Sequence, residues 1–281
     1  MILIVTALRI EAAPFIDYYK LKRDMNFKRH EVFKSPDSSV ILLITRPGKI
    51  PAAIALTELL AGCDIASNDY MINIGICGST AAFDKSTVYL CHSILDHDTG
   101  RQHYPDILAS HPFKEAALET FSVPVTNDNA HQVSASLVDM EASALFEAGN
   151  YHFAANQMFF VKIPSDMLNP ETITKESINS LMTTCVPVIT DWLDGLLNVS
   201  CDASAASRPS LSSEELVLFN NLSESLRLSV TMKEQLKQLF IYKKLKDGDL
   251  SFVEAFALPE GNITNQKRKI LFEELREQFL Q

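Results

Sequence analysis

The sequence predicts an α/β fold: a central mixed, largely parallel sheet flanked by helices, followed by a small all-helical C-terminal module. Three observations carry this. Short apolar runs rich in β-branched residues alternate with segments of helical spacing over the first two hundred residues. Several of these runs are apolar almost throughout, as strands buried on both faces are. Near Ser200 the composition turns small and polar, and amphipathic helical patterns follow.

The elements follow in order. "ILIVTAL" is a buried strand, and "EAAPFIDYYKLK" a helix with Pro14 tolerable in its first turn. "VILLIT" (40–45) is a second strand. "RPGKIPAAIALTELLAGC" is a Gly-Pro turn and a helix. "YMINIGICGS" (70–79) is a strand running into a Gly-rich turn, and "TVYLCHSIL" a further strand. "SLVDMEASALFEAG" (136–149) has helical spacing, with Asp139, Met140 and Glu141 in its first turn. "NQMFFVKIPSDM" is a strand that ends at Pro164, Ser165 and Asp166. "TKESINSLMTTCVPVITDWLDGLL" is a long helix in which Pro187 predicts a kink or break. The first domain is thus 1–199 and a linker covers 200–211. A helical module of about four helices spans 212–281, with capping-box spacing at Ser212 and Glu215 and again at Thr231 and Glu234.

Composition narrows the function. The formal net charge of −10 disfavours a general polyanion binder, because nucleic-acid affinity rests on neutralising phosphates. Five scattered cysteines without CxxC spacing argue against a disulfide framework or a zinc site and fit a reduced, cytoplasmic setting. No apolar run is long enough to span a bilayer. "DHDTGRQHYPDIL" (96–108) holds histidines and acids that read either as a metal cluster or as a polar loop over a site.

In open α/β sheets ligands sit beyond the carboxyl ends of the strands. Arg9 to Glu11, Gly75 to Ser79 and Ser165-Asp166 all fall there. Breaking a bond to a sugar calls for an acid, a base or nucleophile, and groups that bind hydroxyls, a supply that separate carboxylates provide. Glu11, Glu141 and Asp166 fit those roles if the fold unites them. Singly, each also reads as a helix-end or turn carboxylate.

Five segments in order resemble the nucleoside phosphorylase and nucleosidase superfamily. The likeness is strongest to the methylthioadenosine/S-adenosylhomocysteine nucleosidases and the futalosine hydrolases. These segments are "ILIVTALRIEAA", "RPGKIPAAIALTELL", "NIGICGS", "VDMEASAL" and "VKIPSDM", and the resemblance covers roughly 1–197. It implies a phosphorylase/hydrolase-like sheet and hydrolysis of the N-glycosidic bond of a purine nucleoside, with a 5′ modification. By the resemblance, Asp166 is the acid that protonates the base, Glu141 the carboxylate on the ribose hydroxyls, and Glu11 the residue that deprotonates water. Met140 packs on the sugar, and Cys77, Gly78, Asn73 and Ser165 lie around the substrate. Lys162 reads equally as an orienting residue or as a strand-end surface lysine. Asp139 reads as a helix-start charge. Cys77 is a small buried filler.

A phosphorylase needs an arginine fork and hydroxyl donors for its dianion. Asn73 and Ile76 stand where those would be, so water is the expected nucleophile, and Arg9 is the possible phosphate ligand if phosphate is used. The family pattern implies no cofactor and no metal, a small-molecule nucleoside as partner, and a homo-oligomer. His131 is the candidate replacement for the family's base-stacking aromatic. Phosphorolysis is one alternative, and a non-catalytic nucleoside-binding or regulatory protein on the same scaffold is the other.

Overall fold

The computed structural model describes residues 1–63, 65–84, 87–126, 128–205, 211–246, 253, 256 and 265–280. The chain divides into two compact units, Met1–Ala203 and Ser204–Gln281.

The first unit runs β1 (Ile2–Thr6), α1 (Arg9–Tyr18), β2 (Lys22–Arg23), β3 (Glu31–Lys34), β4 (Val40–Ile44), α2 (Lys49–Leu60), β5 (Tyr70–Ser79) and β6 (Tyr89–Asp96). It continues through β7 (Gln102–His103), β8 (Lys114–Thr120), β9 (Leu137–Asp139), α3 (Ala142–Gly149), β10 (Met158–Asp166) and α4 (Lys175–Ala205). β1 shows why the first run is apolar without interruption. Ile2 and Ile4 pack on one face with Phe15 of α1 and with Met182 and Trp192 of α4. Leu3 and Val5 pack on the other with Leu56 of α2 and with Leu145 and Phe146 of α3. A strand covered on both faces has no solvent side on which to place polar residues.

The sheet is mixed rather than largely parallel. β1 lies parallel to β4 and β5, β5 to β10, β6 to β8, and β8 to β9. The β10–β6, β5–β9, β3–β4, β2–β3 and β6–β7 pairs are antiparallel. Loop 35–39 shows one cause: Ser39 N–H donates to Asp37 Oδ1 at 3.1 Å, and so short a turn admits only a hairpin. The pairings also close on themselves. β5 joins β10, β10 joins β6, β6 joins β8, β8 joins β9, and β9 returns to β5.

Four local expectations change. Gly75 and Gly78 lie within β5, not in a turn after it. Residues 137–139 are a strand, and the helix expected from 136 starts only at Ala142, with Glu141 as its N-cap residue. α4 continues through Pro187, because Met182, Cys185, Val186, Ile189 and Leu193 are all buried in the sheet-face core and hold both sides of the proline in one helix. It also extends to Ala205, so 200–205 is helix rather than linker.

The second unit contains α5 (Ser213–Ser225), α6 (Val230–Lys246) and α7 (Asn265–Leu280). The capping box at α5 forms: Glu215 N–H donates to Ser212 Oγ at 3.2 Å, and Ser212 N–H donates to Glu215 Oε2. At α6 Ser229 Oγ accepts from Met232 N–H at 3.3 Å, while the side chains of Thr231 and Glu234, where capping-box spacing was expected, lie outside what the structure describes. Leu222, Leu226, Leu236, Phe240, Leu275 and Phe279 form this unit's core. The helix expected over 250–261 lies outside the described residues except for Val253 and Phe256. Among the described residues no helix is long and apolar enough to cross a membrane.

Candidate active site

Glu11 is placed by the short step from β1 into α1. Its Oε2 accepts from the N–H groups of Ala7 (3.1 Å) and Leu8 (2.8 Å), and its Oε1 from Ile76 N–H of β5 (2.9 Å). The side chain is buried, and burial raises its pKa despite these donors and the charge of Lys162, which pull it down. Gly75 leaves room for this approach: a Cβ there would stand a tight 3.2 Å from Glu11 Oε1. Gly78 has a similar role, since its Cβ would fall 2.8 Å from Val138 Cγ2. These glycines make room within a strand rather than bend a turn.

Glu141 sits between β9 and α3. Its Oε1 accepts from Gly48 N–H at 2.8 Å. Gly48, at φ +105°, caps α2 in a conformation that favours glycine. Burial, and then the charge of Asp139, push the Glu141 carboxyl up to about 7, against the pull of Lys162. The folded state therefore holds an extra proton between the ordinary value of 4.5 and about 7, and stability falls as pH rises through that window. Above it, the ionised carboxylate costs about 3 kcal/mol. Glu141→Gln keeps an acceptor for Gly48, so it should melt higher than the wild type at pH 8, match it near pH 4, and lose turnover. Melting curves at the two pH values check this, and a gain independent of pH would refute the strained carboxylate.

Asp166 ends β10 just after an irregularity in its pairing with β5. Asn169 N–H donates to its Oδ1 at 2.7 Å, and Ser165 Oγ–H donates to its Oδ2 at 2.9 Å. The same hydroxyl lies 3.2 Å from the Cys77 carbonyl oxygen.

Glu11, Glu141 and Asp166 line one cleft of about 170 Å³ together with Met140, Cys77, Gly78 and Ser165. Leu8, Pro47, Ile76, Val125, Pro170 and Ile173 supply apolar walls. No lysine or arginine is among the described residues that line it. Burial pushes the Cys77 thiol well above its usual value, which suits a neutral filler.

Other expected site residues lie elsewhere. Asn73 is buried in β5, its Nδ2 donating to the Val5 carbonyl at 3.1 Å, and it does not line the cleft. Arg9 is exposed, paired with Glu31 and set over the Phe33 ring at 5.4 Å, so it does not line the cleft as a phosphate ligand would. Lys162 is neither at the cleft wall nor at the surface: it is 1% exposed, with Nζ 2.8 Å from Asp139 Oδ2. His131 is exposed. No described cleft-lining residue comes from 96–108, so that segment is not a cover over the site. Instead Asp96 and Asp98 hold Lys49 Nζ at 2.7 and 2.5 Å, and His97 Nδ1 meets Glu119 at 2.7 Å.

Asp139 does more than supply the helix-start charge expected of it. Besides Lys162, it accepts from Thr120 Oγ1 (2.7 Å) and from Ala142 N–H (2.9 Å), and so it does cap α3 as well. The available signal was Lys162 itself, a lone charge inside the apolar strand "MFFVKIP", which demands a buried counter-charge.

No family model matches the sequence, and no curated protein matches it. Solved structures do. An MTA/SAH nucleosidase is 16% identical, with 69% of this chain and 95% of that chain covered and a TM-score of 0.57. The apo 5′-methylthioadenosine nucleosidase of Arabidopsis thaliana is 15% identical, with 69% and 95% covered and a TM-score of 0.58. A futalosine hydrolase mutant of Helicobacter pylori is 13% identical, with 68% and 98% covered and a TM-score of 0.52. The chain thus carries the fold of the MTA/SAH nucleosidases and futalosine hydrolase.

Proposed function

We propose that the protein hydrolyses the N-glycosidic bond of a purine nucleoside modified at its 5′ position, releasing the free base and a ribose derivative. The observation that carries this is the meeting of Glu11, Glu141 and Asp166 with Met140 in one cleft. In this reading Asp166 gives a proton to N7 of the base as the glycosidic electron pair moves onto the ring. Glu141 accepts hydrogen bonds from the ribose hydroxyls and stabilises the electron-poor sugar. Glu11 takes a proton from the water that attacks the anomeric carbon. Burial raises its basicity, and its backbone donors fix its direction.

The lack of a cation among the described cleft-lining residues favours water over phosphate, whose dianion needs charged donors. The solved neighbours, MTA/SAH nucleosidases and a futalosine hydrolase, support the reading. The test is a panel of purine nucleosides with and without phosphate. Base release in phosphate-free buffer is expected. Release strictly dependent on phosphate would make the protein a phosphorylase, and no release from any nucleoside would favour a binding role.

A further inference from the structure

A second cavity, of about 500 Å³, lies against the first and shares Ser165 and Asp166 with it as a common wall. It is the larger of the two. Phe83, Pro164, Ile178 and Leu181 give it apolar sides. Asp166 is the only charged group among its described lining residues. Two of its hydroxyls are already committed to backbone: Ser177 Oγ donates to the Thr174 carbonyl at 2.8 Å, and Thr184 Oγ1 to the Ser180 carbonyl at 3.0 Å. The lining mixes hydroxyls with apolar side chains and, Asp166 aside, carries no charge among the described residues, so it suits a neutral group with an apolar body.

Its place relative to the carboxylates says which part of a ligand would reach it. Glu11, Glu141 and Met140 mark the sugar end of the cleft, and none of them touches the second cavity. Asp166 marks the base end. An acid that protonates N7 of a purine faces the ring edge that N7 shares with the 6-position, while the carbon on the other side of N7 turns toward the sugar. A group on the 6-position therefore passes beside Asp166, the residue that also walls the second cavity.

We infer that the cavity behind Asp166 is a specificity pocket for a neutral, largely apolar substituent on the 6-amino group of the purine. The inference rests on the nucleosidase reading and narrows it to base-modified substrates.

Calorimetric titration of the full chain with two free bases, adenine and 6-benzylaminopurine, tests this. The benzylated base should bind about tenfold or more tighter. Ser180→Trp, at an exposed position of α4 on the cavity rim, should erase that preference and leave adenine binding unchanged. Leu181→Phe gives the same reading from the half-buried wall. Adenine binding as tightly as the benzylated base, or a preference that survives Ser180→Trp, overturns the pocket and leaves the nucleosidase reading standing. Failure of both bases to bind overturns the two together.

Discussion

Asp166→Asn should fold as the wild type does and turn over purine nucleosides about 10²- to 10⁴-fold more slowly, the usual worth of a positioned general acid. The fold should survive because the substitution keeps the local hydrogen bonds. Asparagine retains an Oδ1 for Asn169 N–H, and its amide nitrogen can donate to Ser165 Oγ, which then turns its own proton to the Cys77 carbonyl. What it loses is the proton. An anionic purine is a poor leaving group and a protonated one a good one, so the loss should fall on kcat. A ribosyl substrate whose leaving group needs no proton should be far less affected. Equal melting temperatures with the split between the two substrates confirm the role, and unchanged purine turnover removes Asp166 as the acid.

Lys162→Met should destabilise the protein by about 3–5 kcal/mol, the cost of leaving a buried charge unpaired. Lys162 is held by Asp139 at 2.8 Å and also lies in the field of Glu141, and these charges keep its ammonium ionised despite burial. Its pKa is raised above the ordinary 10.5, so its contribution is complete through the neutral range and is lost as pH climbs from 10.5 through that raised value. In Lys162→Met both carboxylates face burial without that cation, and the part of the loss that falls on Glu141 should shrink in acid, where its carboxyl is protonated. Urea unfolding of the single variants and of Lys162→Met/Asp139→Asn measures this. The double variant should recover part of the loss, and strict additivity would disprove the coupling.

The order and character of β1, α1, β4, α2, β5, β6 and β10 were legible because each is an apolar run or a helical pattern of adequate length. β8 was not. "KEAALET" has the composition of a helix, yet all seven residues pair with β6 and the last three with β9 as well, and Glu119 is buried under donors from Ser134, Ala135 and His97. Local propensity gave way to tertiary pairing. β9 was missed for a related reason: three residues are too few to show a period, and the helix that follows lends its pattern backward. Of the site, the three carboxylates and Met140 were legible through ordered resemblance, not through spacing. The apolar walls were not, because Val125, Pro170 and Ile173 come from loops whose course no periodicity records. Nor was the burial of Lys162 and Asp139, which depends on strands distant in sequence meeting side by side.

The closed run β5–β10–β6–β8–β9 bears on how the site moves. An open sheet sheds its outermost strand at little cost, but in this ring no strand is outermost. Glu141 follows β9, Asp166 ends β10, and Ile76 of β5 holds Glu11, so all three carboxylates are fastened to members of that ring. To detach β9, which leads into Glu141, pairs to both β5 and β8 must break, whereas Asp166 is paired on one flank alone, to Gly78 of β5. The β9 side of the cleft should therefore exchange more slowly than the end of β10 at Asp166, and segments 122–126 and 168–174, which wall the cleft but take no part in the ring, should exchange faster than either.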